Sequence, residues 1–211
     1  LSVSDATQLD FWVLSRFEAL LARASSNATL SATLSSSGLV FFLHLLGPDT
    51  TGHAFRPFSR EYVANARVVD DVIAAVERAV SLYWHDDGQT AFLFTADHGM
   101  SARGNHGDGE AANTRTPLVA WGAGVRAPRA LAEEAAGVQQ RFARWEERSG
   151  DDYFEGWGEL DDVWREDVEQ ADVTPLMVRF LLSCPPSFFP LRTFPCALSL
   201  TRTPRPRWVC Q

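Results

Sequence analysis

The chain has 211 residues, 45% of them hydrophobic and 22% charged, an ordinary balance for a globular protein with one sizeable core. A formal net charge of -8 opposes association with a phosphate backbone, so nucleic-acid binding is not expected. No apolar run reaches the ~18 residues of a membrane span and no basic-then-apolar leader follows Leu1, so any membrane attachment is expected through segments outside these residues.

Leu9, Trp12, Val13, Phe17, Leu20 and Leu21 recur at helical spacing and predict an amphipathic helix over 8–24. Residues 25–38, rich in Ser, Ala and Thr, predict a surface connection. Within it Asn27-Ala28-Thr29 is a formally correct N-glycosylation sequon, so Asn27 is the candidate glycosylation site. Leu39 to Leu46 is nearly continuous and apolar, closed by Gly47-Pro48; this predicts a strand buried on both faces, with His44 a hydrogen-bonded core histidine.

Ser59 is the expected N-cap of the next helix. Tyr62, Ala66, Val69, Ile73, Val76, Val80 and Tyr83 follow at spacings of four and three, and Asp86-Asp87-Gly88 ends the run. Thr90–Ala96 predicts a second buried strand and Pro117–Trp121 a third. Strand, helix, strand at this length is a crossover unit of a parallel sheet. Residues 127–170 read as polar and helical, and Thr174-Pro175 opens a short apolar helix with Pro at its first position. From Cys184 onward no amphipathic period survives, and Cys184, Cys196 and Cys210 lack zinc-finger spacing. The expected organisation is an α/β domain over 1–183, with a mostly parallel sheet flanked by helices, and an irregular C-terminal tail over 184–211.

Three segments concentrate metal-ligand residue types: Gly47 to His53, Thr95 to Met100, and Gly104 to Gly109. The first two directly follow predicted strands, and open parallel sheets bind ligands outside the carboxyl ends of their strands. Asp49, His53, Asp97, His98 and His106 are therefore the candidate metal ligands. Carboxylate oxygen and imidazole nitrogen together suit zinc, and manganese accepts a similar set. Two such ions about 4 Å apart can clamp the attacking and leaving oxygens of a phosphoryl transfer. Adjacent Asp97 and His98 bind two ions or one, depending on how the turn aims them. Singly, each of these residues is more often structural; the three segments in this order favour a metal site. Asp108 either orients His106 or makes a turn. Ser101 and Arg103 are expected in a solvated loop, and His85 at an exposed helix end.

Asp49-Thr50-Thr51-Gly52-His53, then Ala96-Asp97-His98-Gly99-Met100, then Gly104-Asn105-His106-Gly107, resembles the alkaline phosphatase superfamily in motif and order. Phe41 to Gly47, Arg56-Pro57, Thr116 to Gly124 and Gln170 to Met177 narrow the likeness to the branch that modifies GPI-anchor precursors, over roughly residues 8–182. That resemblance implies part of an alkaline-phosphatase-like catalytic domain in the endoplasmic reticulum lumen, belonging to a membrane enzyme. It implies transfer of phosphoethanolamine from phosphatidylethanolamine to the first mannose of a GPI-anchor precursor, by a two-zinc double displacement. By the family pattern Asp49, His53 and His106 hold one zinc, and Asp97 and His98 hold the other. A further Asp and the nucleophilic Thr are expected upstream of the chain, so no catalytic nucleophile is assigned within it, and negligible turnover is expected of these residues alone. The alternatives are a metal-dependent phosphodiesterase or mutase of the same superfamily, or a catalytically dead fragment acting as a structural or binding module.

Overall fold

A stripe of residues at helical spacing forms the inner face of the first helix, α1 (Thr7–Ser25): Asp10, Phe17, Leu21 and Ala24 are buried. In the computed structural model, which describes residues 5–36, 38–125, 127 and 168–182, this face is rotated from the expected one. Trp12 is 62% exposed and Leu9 is exposed too, while the carboxylate of Asp10 lies in the core. Asp10 lies seven residues before Phe17 and so shares its face, but a buried acid has no hydrophobic signature in the sequence.

The Ser/Thr-rich connection contains a helix that the sequence reading did not include, α2 (Ala28–Leu34). Its N-cap is Asn27, whose side chain accepts a hydrogen bond from the Leu30 N–H at 3.0 Å. Half-buried Leu30 and buried Leu34, four residues apart, seat it against the core.

Residues 39–46 are extended, but they are not the strand buried on both faces that was expected. Leu39, Phe41, Leu43 and Leu45 are half-buried, while Val40, Phe42, His44 and Leu46 are exposed. This is the two-residue alternation of a strand with one covered face. Among the described residues no strand pairs with it. Phe41 packs edge-on against Phe17, with ring centroids 5.1 Å apart. His44 is exposed, not a core histidine.

Gly47 to His53, the segment expected to follow a strand end, opens helix α3 (Gly47–Phe55). Pro48 sits in its first turn, where a missing N–H costs no helix bond. It ends at Arg56, whose positive φ of 72° turns the chain ahead of Pro57. Ser59 then caps α4 (Arg60–Trp84), accepting from the Tyr62 N–H at 3.1 Å, as expected. The inner face of α4 carries Asn65, Val69, Val72 and Val80, and His85 closes it in the left-handed region. Helices α1, α3 and α4 pack on one another.

The strands β1 (Ala91–Thr95) and β2 (Leu118–Gly122) form a two-stranded antiparallel sheet, which corrects the expected mostly parallel sheet among the described residues. A parallel pair needs a long crossover, usually a full helix. Residues 96–117 carry only the four-residue helix α5 (Ala111–Thr114), and the chain folds back, with the Gly99 N–H donating to the Asn113 carbonyl at 2.8 Å. Phe92 stacks on Trp121 with centroids 5.1 Å apart. β1 is half-buried, whereas Val119 and Ala120 of β2 are buried.

The chain divides into two compact units, one holding residues 5–90 and 94–118, the other 91–93 and the described residues from 119 onward. In the second, a 3-10 turn at Gln170–Asp172 leads into α6 (Val173–Leu182), so Pro175 falls within the first turn of the helix and not at its first position. The helical stretch expected over 127–170 lies almost wholly outside the described residues, and the tail 184–211 entirely so. Among the described residues no helix is long and apolar enough to cross a membrane.

Candidate metal centre

Helix α3 places Asp49 and His53 one turn apart on the same face, with Asp49 Oδ1 3.5 Å from His53 Nε2. The segment leaving β1 adds His98, its Nε2 3.9 Å from the same oxygen. The glycine-rich loop beyond it adds His106, Nε2 at 3.4 Å. Three imidazoles drawn from three segments thus converge on one carboxylate oxygen. The rings of His98 and His106 stack at 3.7 Å, and those of His53 and His106 lie 5.0 Å apart.

Backbone carbonyls orient two of these rings. His53 Nδ1 is 2.7 Å from the Gly104 carbonyl oxygen and His98 Nδ1 is 2.9 Å from that of Gly99. A carbonyl only accepts, so each Nδ1 donates its proton and each ring presents its Nε2 toward Asp49. Two glycines make the approach possible. A Cβ on Gly52 would press on Met100, leaving its methyl carbon only 2.9 Å away. A Cβ on Gly104, which has a φ of +79°, would meet the Gly52 carbonyl at 2.8 Å.

The donor set fits a divalent cation. Asp49 Oδ1 is buried and makes no hydrogen bond, a costly state for a carboxylate oxygen. Ligands about 2.1 Å from one tetrahedral ion stand about 3.4 Å apart. Asp49 Oδ1, His53 Nε2 and His106 Nε2 are separated by 3.5, 3.4 and 3.1 Å. Asp49, His98 and His106 form a second, overlapping set, with ligand atoms within 4.8 Å of one another.

The remaining expected site residues are placed differently. The Asp97 side chain is 76% exposed; its Oδ1 accepts from the His98 N–H at 3.1 Å and its Oδ2 lies 3.7 Å from His98 Nε2. Asp108 accepts from the Glu110 N–H at 3.1 Å and from the Asn113 side chain, the turn-forming one of its two expected roles. Ser101 is buried, not solvated, and its backbone closes the loop through Asn105 and Gly104. The orienting carbonyls of Gly99 and Gly104 escaped sequence reading, since a backbone oxygen has no residue signature beyond the glycine that lets it approach.

One half-buried carboxylate and three imidazoles gathered on a helix and two loops define the chain as a protein with a candidate divalent-metal centre. Sequence comparison then gives its relatives. The chain is 48% identical over 173 residues to GPI ethanolamine phosphate transferase 1 of Chaetomium globosum, covering 82% of this chain and 17% of that protein. It is 48% identical over 174 residues to the protein of that name from Neurospora crassa, covering 82% of this chain and 16% of that one. The Saccharomyces cerevisiae protein of that name is 46% identical over 170 residues, 81% of this chain and 17% of its own length. The chain is a relative of one segment of GPI ethanolamine phosphate transferase 1, and spans about one sixth of the length of the curated relatives it matches. No family model and no solved structure matches it.

Proposed function

We propose that these residues are the metal-binding part of an enzyme that transfers phosphoethanolamine from phosphatidylethanolamine to the first mannose of a GPI-anchor precursor. The observation that carries the metal reading is the buried, unbonded Asp49 Oδ1 within 3.5 Å of His53 Nε2 and His106 Nε2. The names of the relatives support ethanolamine phosphate as the group transferred and a GPI molecule as its acceptor. Asp49, His53 and His106 hold one zinc; Asp97 and His98 hold a second, with further ligands from parts of the whole protein beyond this chain. Manganese suits the same donors. A bound divalent ion supplies positive charge to the oxygens of the reacting phosphate.

The residues themselves hold and orient. Asp49 brings the negative charge, and the carbonyls of Gly99 and Gly104 keep His98 and His53 turned toward it. The transfer is a double displacement. A threonine hydroxyl from another segment of the whole protein attacks phosphorus, breaking the bond to the diacylglycerol oxygen. The mannose hydroxyl then attacks, breaking the threonine–phosphorus link. The protein works at the endoplasmic reticulum membrane with this part in the lumen, attached through segments beyond this chain. Asn27 suits an N-glycan there: it is exposed, and its helix cap uses the side-chain oxygen, leaving the nitrogen for the sugar.

The test is transfer by the complete protein from labelled phosphatidylethanolamine to a mannosylated GPI precursor. Asp49→Asn and His106→Ala are expected to lower transfer about 100-fold or more, with a matching loss of bound zinc. Label appearing only as free phosphoethanolamine, with the acceptor unmodified, would favour a phosphodiesterase. Undiminished transfer in Asp49→Asn would remove the metal reading.

A further inference from the structure

Beneath the ligand helix lies a buried polar chain that takes no part in ligation. Asp10 of α1 is 0% exposed and Asn65 of α4 is 1% exposed; Thr51 of α3 is buried beside them. Asp10 Oδ1 accepts from the Gly47 N–H at 2.9 Å, and Oδ2 accepts from Asn65 Nδ2 at 2.9 Å. Asn65 Oδ1 in turn accepts from the Thr51 hydroxyl at 2.7 Å. Three bonds tie three helices together.

We infer that Asp10 and Asn65 are positioning residues of the metal pocket: through Gly47 and Thr51 they fix the helix that presents Asp49 and His53. Gly47 is the first residue of α3, and its N–H is one of the orphan donors every helix start must satisfy. The local N-cap, Leu46, offers no side chain for this. Asp10 supplies the cap from another helix, with a carboxylate where the helix dipole favours one. Gly47 is glycine because the clamp is tight: a Cβ there would collide with the Asp10 carboxylate and stand 2.9 Å from Asn65 Nδ2. A helix rises about 1.5 Å per residue, so the clamped Gly47 and Thr51 bracket Asp49, and His53 follows two residues on. An apolar contact would stabilise the packing but would not fix the rotation of α3. Two directional bonds at positions 47 and 51 do, and with them the aim of Asp49 Oδ1. This role presupposes the metal reading of the Asp49 cluster.

Titration of the 211-residue chain with cobalt(II) tests it, the d–d absorption reading ligand geometry, beside urea unfolding of the metal-free protein. Asp10→Asn keeps an oxygen for the Gly47 N–H but sets an amide against the Asn65 amide. It is expected to weaken cobalt binding about tenfold or more and to alter the d–d band while the protein remains folded. The exchange Asp10→Asn with Asn65→Asp faces donor to acceptor again at all three bonds, and is expected to restore both affinity and band. Should Asp10→Asn not fold, Thr51→Val removes only the outer donor and is expected to weaken cobalt binding by the lower end of that range, about tenfold. Wild-type affinity and band in a folded Asp10→Asn or Thr51→Val protein would overturn the positioning role, as would an exchange that leaves the band altered. Cobalt uptake lost in Asp49→Asn but kept in Asp10→Asn would reject the positioning role alone. No uptake by the wild-type chain would reject the metal reading and the role of Asp10 with it.

Discussion

Asp10 shows how one side chain can work against stability and still be retained. Burial pushes its carboxyl above the ordinary value of 3.8, opposed by the bonds from Gly47 and Asn65 and by the nearby charge of His44. The raised value means that the folded protein holds this proton more tightly than the unfolded chain does. Its contribution is therefore fully present below 3.8 and is lost as pH rises through the raised value. Urea midpoints measured from pH 3 upward should fall more steeply for the wild type than for Asp10→Asn across that window, and parallel curves would contradict it. Asp49 differs from Asp10 in what surrounds it: Asp10 is satisfied by neutral donors, whereas Asp49 Oδ1 meets only imidazole nitrogens and no hydrogen-bond donor.

At the scale of elements, local signals decided where helices begin, and tertiary contacts decided which way they face. Ser59 was legible as a cap because a long periodic run follows it. Asn27 was not, since the seven residues of α2 are too few and too polar to show a period. Asn27→Ala is expected to cost about 1 kcal/mol in urea unfolding of unglycosylated protein. Asn27→Asp keeps the capping oxygen and should cost little, while removing the sequon as Asn27→Ala does. Comparing the two separates the cap from the glycan. Helix α3 has no helical signature in the sequence because Gly47, Pro48 and Gly52 are all poor interior helix residues. It forms because Pro48 falls in the first turn, Asp10 caps Gly47 from α1, and Gly52 is needed where Met100 lies against the helix.

At the scale of the whole molecule, the segment 39–46 stands out. It has strand alternation, a covered face against Phe17, and an outer face on which Phe42 is 85% exposed beside exposed Val40 and Leu46. An apolar extended segment that no strand among the described residues pairs with invites association edge to edge. The isolated chain is expected to self-associate with rising concentration in sedimentation velocity, and Phe42→Lys to reduce that association. Equal association in the variant would place the contact elsewhere.

The sequence by itself determined which residues are candidate ligands and their order. Asp49, His53, His98 and His106 needed only residue chemistry and the glycines around them, and the long helices α1 and α4 needed only their period. The sequence did not determine the sheet or the inner face of α1. Strand pairing depends on partners distant in the chain, so alternation at 39–46 marks an extended backbone without saying what pairs with it. Burial of Asp10 and Asn65 depends on two helices presenting matching donors and acceptors at the same height, which no single-helix pattern encodes. Only the tertiary structure could bring three imidazoles onto one carboxylate oxygen, because α3 and two loops approach that point from separate stretches of chain and the close fit at Gly52 and Gly104 holds them there.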